Sequence, residues 1–342
     1  MMEAVAVLLL LLAVATGIVF VSNRRRSPRY GGIAFIGTAE PGAAGDALQI
    51  VTWNVGYGSL GAGADFVADG GSSIRALDRR SIVTAANAVG KTLEHLDADL
   101  VLLQEMAGAG FATRGVDVTA GVLRPLNGYR TAFWEDFATT LLPPPLRIAH
   151  GMMTLARVAA RGCAAHPLPQ EPGFLLGMLK KHYGAIVTRV PVADGREWVI
   201  LNIHLSAFDD GGAVRARQVP AVLEIAQAEY RRGAHVVIGG DWNMRLTATS
   251  FAHETEAKYL SWIHDFPRKT VPEGWAFGLD SSVPSVRTLH RPYEAGVNYV
   301  TIVDGFLVSP NVAIERVVTT DLGFRHTDHH PVLASLRMRT DR

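Results

Sequence analysis

"HVVIGGDWNM", residues 235–244, is an apolar run that passes through two glycines and then presents Asp241, Trp242 and Asn243. Gly, Asp and Asn are common turn residues, so a turn closing a buried strand is the plain reading. Along an extended chain, however, side chains alternate with period two, and Asp241 and Asn243 then point the same way. A carboxylate beside a carboxamide at the mouth of a strand suits a metal-assisted site. The rest of the chain decides between the two.

Working outward, the same shape recurs. "LQIVTWN" (48–54) and "ADLVLLQE" (98–105) are short apolar runs ending at Asn54 and Glu105, and "EWVILNIHL" (197–205) ends near His204. "YVTIVDGFLVS" (299–309) contains Asp304, while Asp328 and His329 precede the last run, "PVLASLRM" (331–338). Ile82, Ala86, Val89, Leu93 and Leu96 recur at helical spacing, and 213–231 reads as another helix, kinked or begun at Pro220. Strands alternating with helices, then mixed strand spacing, describe a layered α/β domain over about 48–339. Residues 107–180 resist assignment, with "LLPPPL" (141–146) and "HPLPQEPG" (166–173) marking loops.

A single polar residue at a strand end is no more than a surface requires. The set says more, because sheets bring loops from several strands to one edge, where distant side chains converge. Hard cations such as Mg²⁺ prefer carboxylate, carbonyl and water oxygens, and this set is rich in oxygen. Histidines among them can donate to a charged phosphoryl group or to its leaving oxygen.

Composition sets the bounds. An apolar fraction of 48% and a charged fraction of 19% are those of an ordinary globular chain. A net charge of +1 argues against a broad polyanion-binding surface, and the lone Cys163 excludes an internal disulfide or a multi-cysteine metal site. From Ala4 to Val21 no residue is charged, a length just sufficient to span a bilayer, and Arg24, Arg25 and Arg26 follow. The expectation is an uncleaved anchor over 1–26 that engages the membrane through residues 4–21, then a linker over 27–47. By the positive-inside rule the globule lies on the cytoplasmic face of the inner plasma membrane. A signal peptide cleaved after Ala13-Val14-Ala15 is the rival, weakened by an n-region without Lys or Arg.

"TWN", "LLQE", "NIHLS", "GGDWN", "VDGFLVS" and "TDHHPV", in that order, resemble the endonuclease/exonuclease/phosphatase superfamily of DNase I-like enzymes, neutral sphingomyelinases and inositol-polyphosphate phosphatases. The likeness is strongest to uncharacterised bacterial members with an amino-terminal membrane segment. It implies a four-layer αββα sandwich with two central mixed β-sheets, here preceded by a transmembrane helix. It also implies one divalent ion, Mg²⁺ with Mn²⁺ as a substitute, and hydrolysis by direct attack of water. Carried over by motif, Glu105 is the main metal ligand, supported by Asn54 and Asp328. Asp241 aligns or deprotonates the water, Asn243 holds the phosphate, and His204 is the general acid or a phosphate donor. His329 sits across the phosphate with Asp304 on its other ring nitrogen. "GDWN" departs from the family's usual "GDFN", and Trp242 is expected to point away from the site.

Asp69-Gly70-Gly71, Arg215 and Arg287 are weaker candidates for substrate contact, set against readings as a turn, a solvated helix face and a surface loop. The expected activity is a membrane-tethered phosphoesterase acting on a lipid headgroup, a small phosphodiester or a nucleic acid; no protein partner is inferable. Two alternatives stand beside it. One is a phosphate-ligand-binding membrane protein without catalysis. The other is a zinc hydrolase using the cluster of His326, His329 and His330.

Overall fold

The computed structural model describes residues 2–25, 29–76, 78–139, 147–171, 181–207 and 209–339. The fold grows from two parallel strand pairs. β2 (Ala47–Asn54) runs parallel to β3 (Leu100–Ala107), and β8 (Glu197–His204) runs parallel to β9 (His235–Asp241). Parallel neighbours need a crossover, and each pair has a helical one: α2 (Arg79–Leu96) and α4 (Arg215–Arg231). The Asp78 carboxylate caps α2 by accepting from the Ser81 N–H at 2.7 Å, and Ile82, Ala86, Val89 and Leu93 form its buried face, as their spacing predicts. Pro220 lies inside α4, whose helical span continues past it to Arg231.

Antiparallel strands widen each pair. One sheet has six strands in the order β14 (Val312–Thr319), β15 (Val332–Met338), β2, β3, β5 (Ala149–Ala156), β4 (Arg130–Ala138). The other has seven, β1 (Gly31–Gly32), β6 (Gly162–Pro167), β7 (Gly184–Pro191), β8, β9, β13 (Asp304–Val308) and β10 (Ala276–Gly278). A short ribbon of β11 (Val286–Arg287) and β12 (Val300–Thr301) completes the strands.

Ile50, Leu100, Leu102, Ile200, Val237 and Phe306 pack between the sheets. α2 and α3 (Val118–Leu123) cover the outer face of the six-stranded sheet, and α4 covers the other. The layers are therefore helix, sheet, sheet, helix. Central strands buried on both faces explain the near-continuous apolar runs. A polar lock interrupts this core: Gln104 Nε2 donates to Asn202 Oδ1 at 2.8 Å, and Asn202 Nδ2 donates to the Met153 carbonyl at 3.0 Å. Buried amides must be paired, so this bond sets how the two sheets meet just beneath Glu105 and His204.

The unassigned stretch holds α3, β4, β5 and β6, while its proline run 141–146 falls outside the described residues. The expected linker is no free tether where it is described. The Ile33 N–H donates to the Cys163 carbonyl and the Gly42 N–H to the Arg157 carbonyl, each at 2.8 Å, and Ala44 is buried.

The amino-terminal expectation needs correction. α1 (Met2–Arg25) is a helix, but among the described residues no helix is long and apolar enough to cross a membrane. Its continuous stretch of described side chains, 5–18, is exposed and uncharged. Arg26 lies outside the described residues.

Candidate active site

The carboxyl ends of β2, β3, β8 and β9 face one another across the gap between the sheets, and the polar side chains at those ends line one open cleft of about 600 Å³. Asp241 Oδ2 is its focus. Asn54 Nδ2 donates to it at 3.0 Å, while His204 Nε2 and His329 Nε2 each lie 3.7 Å away. Pairing explains the convergence: His204 and Asp241 are partners across β8 and β9, and Asp304 faces Asp241 across β13 and β9. His329 reaches the same point through a bridge to Val286, with its Nδ1 2.8 Å from Asp304 Oδ2.

Three cleft residues adopt left-handed backbone without being glycine: Tyr57 at φ 54°, Glu105 at φ 57° and Asn243 at φ 50°. Glu105 does not end its strand; it sits in the irregularity between Leu103 and Met106, where β3 slips register against β5. A bulge of this kind re-aims a side chain, here at a cost of roughly 1–2 kcal/mol for the left-handed residue. Asp241 and Asn243 likewise converge for a reason other than strand alternation. β9 ends at Asp241, and the left-handed Asn243 folds back so that its N–H donates to Asp241 Oδ1 at 2.8 Å. Asn243 Nδ2 donates to the Leu205 carbonyl at 2.9 Å. Gly56, at φ +54°, leaves room for Asp328, whose Oδ1 would lie 2.7 Å from any Cβ there.

Charge is divided unevenly. Burial pushes the Glu105 carboxyl up to about 7, with Lys181 opposing and Asp328 adding to the shift. Burial raises Asp328 as well, against the nearby His329 and Arg287. Among the described residues neither carboxylate makes an ion pair with Lys or Arg. Buried like charges without such a partner are what a hard divalent ion relieves, and Glu105, Asp328 and the Asn54 carboxamide are the oxygen donors that fit one. A second group, Asp241, Asp304 and His329, has its ligand atoms within 4.8 Å of one another, but there Asp304 already accepts from His329. We read it as a carboxylate–imidazole pair facing a second carboxylate. Burial lowers the His329 pKa, yet Asp304 and Asp241 override it and hold the ring well above its ordinary value. His204 is held well below its ordinary value by burial and then by Lys181. The two imidazoles are thus pushed in opposite directions.

The weaker candidates separate. Asp69 lines the cleft, its carboxyl pushed up to about 7 by burial and by the charge of Asp328. Arg287 also lines it, but its Nη2 donates to the carbonyls of Leu60, Gly61 and Ala64 and its Nη1 to that of Thr288. Its part is to hold the 60–64 loop as a wall. Arg215 is neither a substrate contact nor a solvated helix face. It is fully buried, with Nε donating to Asp209 Oδ1 at 2.6 Å and Nη1 to the Asn243 and Trp262 carbonyls at 2.5 and 2.8 Å. Arg215→Met strands the Asp209 charge, and thermal unfolding should show a loss of about 3–5 kcal/mol. An unchanged midpoint would place the arginine outside the folding framework.

The zinc reading fails on the ring of His330. Its Nε2 accepts from the Phe324 N–H at 3.1 Å and its Nδ1 lies 2.8 Å from the Pro284 carbonyl, leaving no nitrogen for a metal. Trp242 is buried, as expected, and packs edge-on against Phe266 and Phe277.

The sequence model of the Endonuclease/Exonuclease/phosphatase family matches residues 51–329, a span that includes every side chain of the cleft. The chain belongs to this family. Among solved structures, a humanized D. rerio TDP2 is similar at 15% identity and TM-score 0.56, covering 86% of this chain and 100% of that one. An endonuclease/exonuclease/phosphatase from Beutenbergia cavernae DSM 12333 is similar at 19% identity and TM-score 0.54, covering 86% and 72%. The human Nocturnin catalytic domain, solved with a bound sulfate anion, is similar at 14% identity and TM-score 0.51, covering 90% and 97%. At these identities they share the fold. No curated protein matches the sequence.

Sequence reasoning missed several cleft residues of this family member. Tyr57 hydrogen-bonds Glu105, and only the glycines flanking it hinted at a special turn. Leu60, Phe66, Val286, Leu289 and Trp262 form an apolar wall, and Lys181 stands behind His204. None of these lies at the end of a readable apolar run.

Proposed function

We propose that this family member is a divalent-metal-dependent phosphoesterase that hydrolyses a phosphodiester, or a phosphomonoester, by direct attack of water. The observation that carries the reading is Asp241 Oδ2, held by Asn54 and flanked by two imidazole Nε2 atoms. Glu105, Asn54 and Asp328 would hold Mg²⁺ or Mn²⁺, which when bound neutralises charge on the phosphoryl oxygens. Asp241 orients the water and takes its proton as oxygen attacks phosphorus. The ester oxygen leaves with the bond electrons and receives a proton from the His329 imidazolium, which Asp304 steadies from behind.

The apolar wall supports a substrate whose group next to the phosphate is apolar or aromatic. Turnover of a p-nitrophenyl phosphodiester by the full chain, abolished by EDTA and restored by Mg²⁺, is the expected outcome of a screen that includes sphingomyelin, phosphoinositides and plasmid DNA. No turnover of any of them with Mg²⁺ or Mn²⁺ would refute the reading. His329→Gln should lower kcat by about 100-fold, with Asp304→Asn a milder copy of the same defect. Wild-type rates in both would leave the pair structural.

A further inference from the structure

We infer that Lys181 is a positioning residue: by donating from its ammonium to Nδ1 of His204, it locks the imidazole in the tautomer whose Nε2–H points into the cleft. The inference rests on the phosphoesterase reading and extends it to a residue that no motif marks.

The geometry is direct. Lys181 Nζ lies 3.2 Å from His204 Nδ1, while His204 Nε2 faces Glu105 Oε1 at 3.9 Å and Asp241 Oδ2 at 3.7 Å. An ammonium carries three donors and no acceptor, so the nitrogen it meets must present a lone pair. A neutral imidazole has one N–H, which then falls on Nε2. The cleft side agrees, because both groups facing Nε2 are carboxylate oxygens and therefore acceptors. Chain topology supplies the contact. His204 ends β8, and Lys181 lies just ahead of β7, the antiparallel neighbour in which Ala185 pairs with Ile203. The ammonium also sits 5.4 Å from the centre of the Tyr183 ring, which gives it a second foothold.

The two imidazoles of the cleft therefore have opposite backing. Asp304 accepts from Nδ1 of His329, whereas Lys181 donates to Nδ1 of His204. A ring backed by a carboxylate keeps its proton on Nδ1 and, as the imidazolium, can give up the one on Nε2. A ring backed by an ammonium cannot release its Nε2 proton without becoming an imidazolate, so His204 serves only as a fixed hydrogen-bond donor to a phosphoryl oxygen. Proton delivery to the leaving oxygen then belongs to His329 alone. This assignment removes the general-acid option for His204 that the sequence left open.

The test uses the full chain labelled with ¹⁵N at histidine and long-range proton–nitrogen correlation spectra, with His204→Gln identifying the resonances. The expected result is an unprotonated Nδ1 and a protonated Nε2 on His204, retained in Lys181→Arg and replaced by a tautomer mixture in Lys181→Met. In parallel, Lys181→Met should lower kcat on a p-nitrophenyl phosphodiester by about 10-fold or more with little change in KM, and Lys181→Arg should recover most of it. Either a proton on Nδ1 in the wild type or an unchanged kcat in Lys181→Met overturns the assignment. If the wild type cleaves no phosphoester, the functional reading fails on its own, while the spectra still decide which nitrogen Lys181 faces.

Discussion

Asp241→Asn should lower kcat on the order of 10³-fold, a loss of roughly 4 kcal/mol of transition-state stabilisation, while the protein still folds. The substitution keeps shape and removes charge. It also changes the local hydrogen bonds, because both Asp241 oxygens accept, one from Asn54 Nδ2 and one from the Asn243 N–H. A carboxamide offers a single oxygen, so one of these donors loses its partner, at a cost of about 1–3 kcal/mol in stability. The two effects are separable: a stability loss alone moves the melting midpoint and leaves the kcat of folded protein unchanged. Steady-state kinetics below the melting range, together with a thermal melt, distinguish them. A kcat within tenfold of wild type would remove Asp241 from proton transfer and leave it as a scaffold for Asn243.

Glu105→Gln should act in opposite directions on activity and stability. Activity at low Mg²⁺ should fall by at least about 100-fold, because a principal charged oxygen donor becomes neutral. The metal-free protein, by contrast, should become more stable. Burial raises the Glu105 carboxyl from 4.5 to about 7, so between those values the folded state binds more protons than the unfolded chain. Stability from this group then falls as pH rises through that window, and above pH 7 the ionised carboxylate is a burden. Glutamine removes that burden. Melting at pH 8 should show a higher midpoint for metal-free Glu105→Gln than for metal-free wild type, and a Mg²⁺-induced rise only in the wild type. The same Mg²⁺ response in both would place the ion elsewhere.

Much of the site could be read before any coordinates because chemistry and topology coincide there. Asn54, His204 and Asp241 end apolar runs that had to be buried, and parallel strands bring such ends to one edge. The stripe on α2 was equally legible, since its apolar residues recur at a helical period. Arg215 was not. A charged residue at the start of an amphipathic helix reads as solvated, and only the fold places Asp209 and two carbonyls around it. Lys181 and the wall residues were hidden for a related reason: they lie in loops or a two-residue strand, outside any readable apolar run. The amino-terminal segment shows the converse error, where an uncharged run was read as a membrane span although no helix among the described residues is long and apolar enough to cross a membrane.

By itself the sequence determined the layered α/β architecture, the order of its central strands along the chain and the kinds of side chain gathered at their ends. Apolar period and turn chemistry act over a few residues, and both are written locally. Only the tertiary structure decided that Lys181 backs His204, that a bulge rather than a strand end aims Glu105, and that Arg215 is framework. Those outcomes depend on through-space neighbours from strands far apart in the chain, where burial, pairing and the sign of the nearest charge set what each group can do.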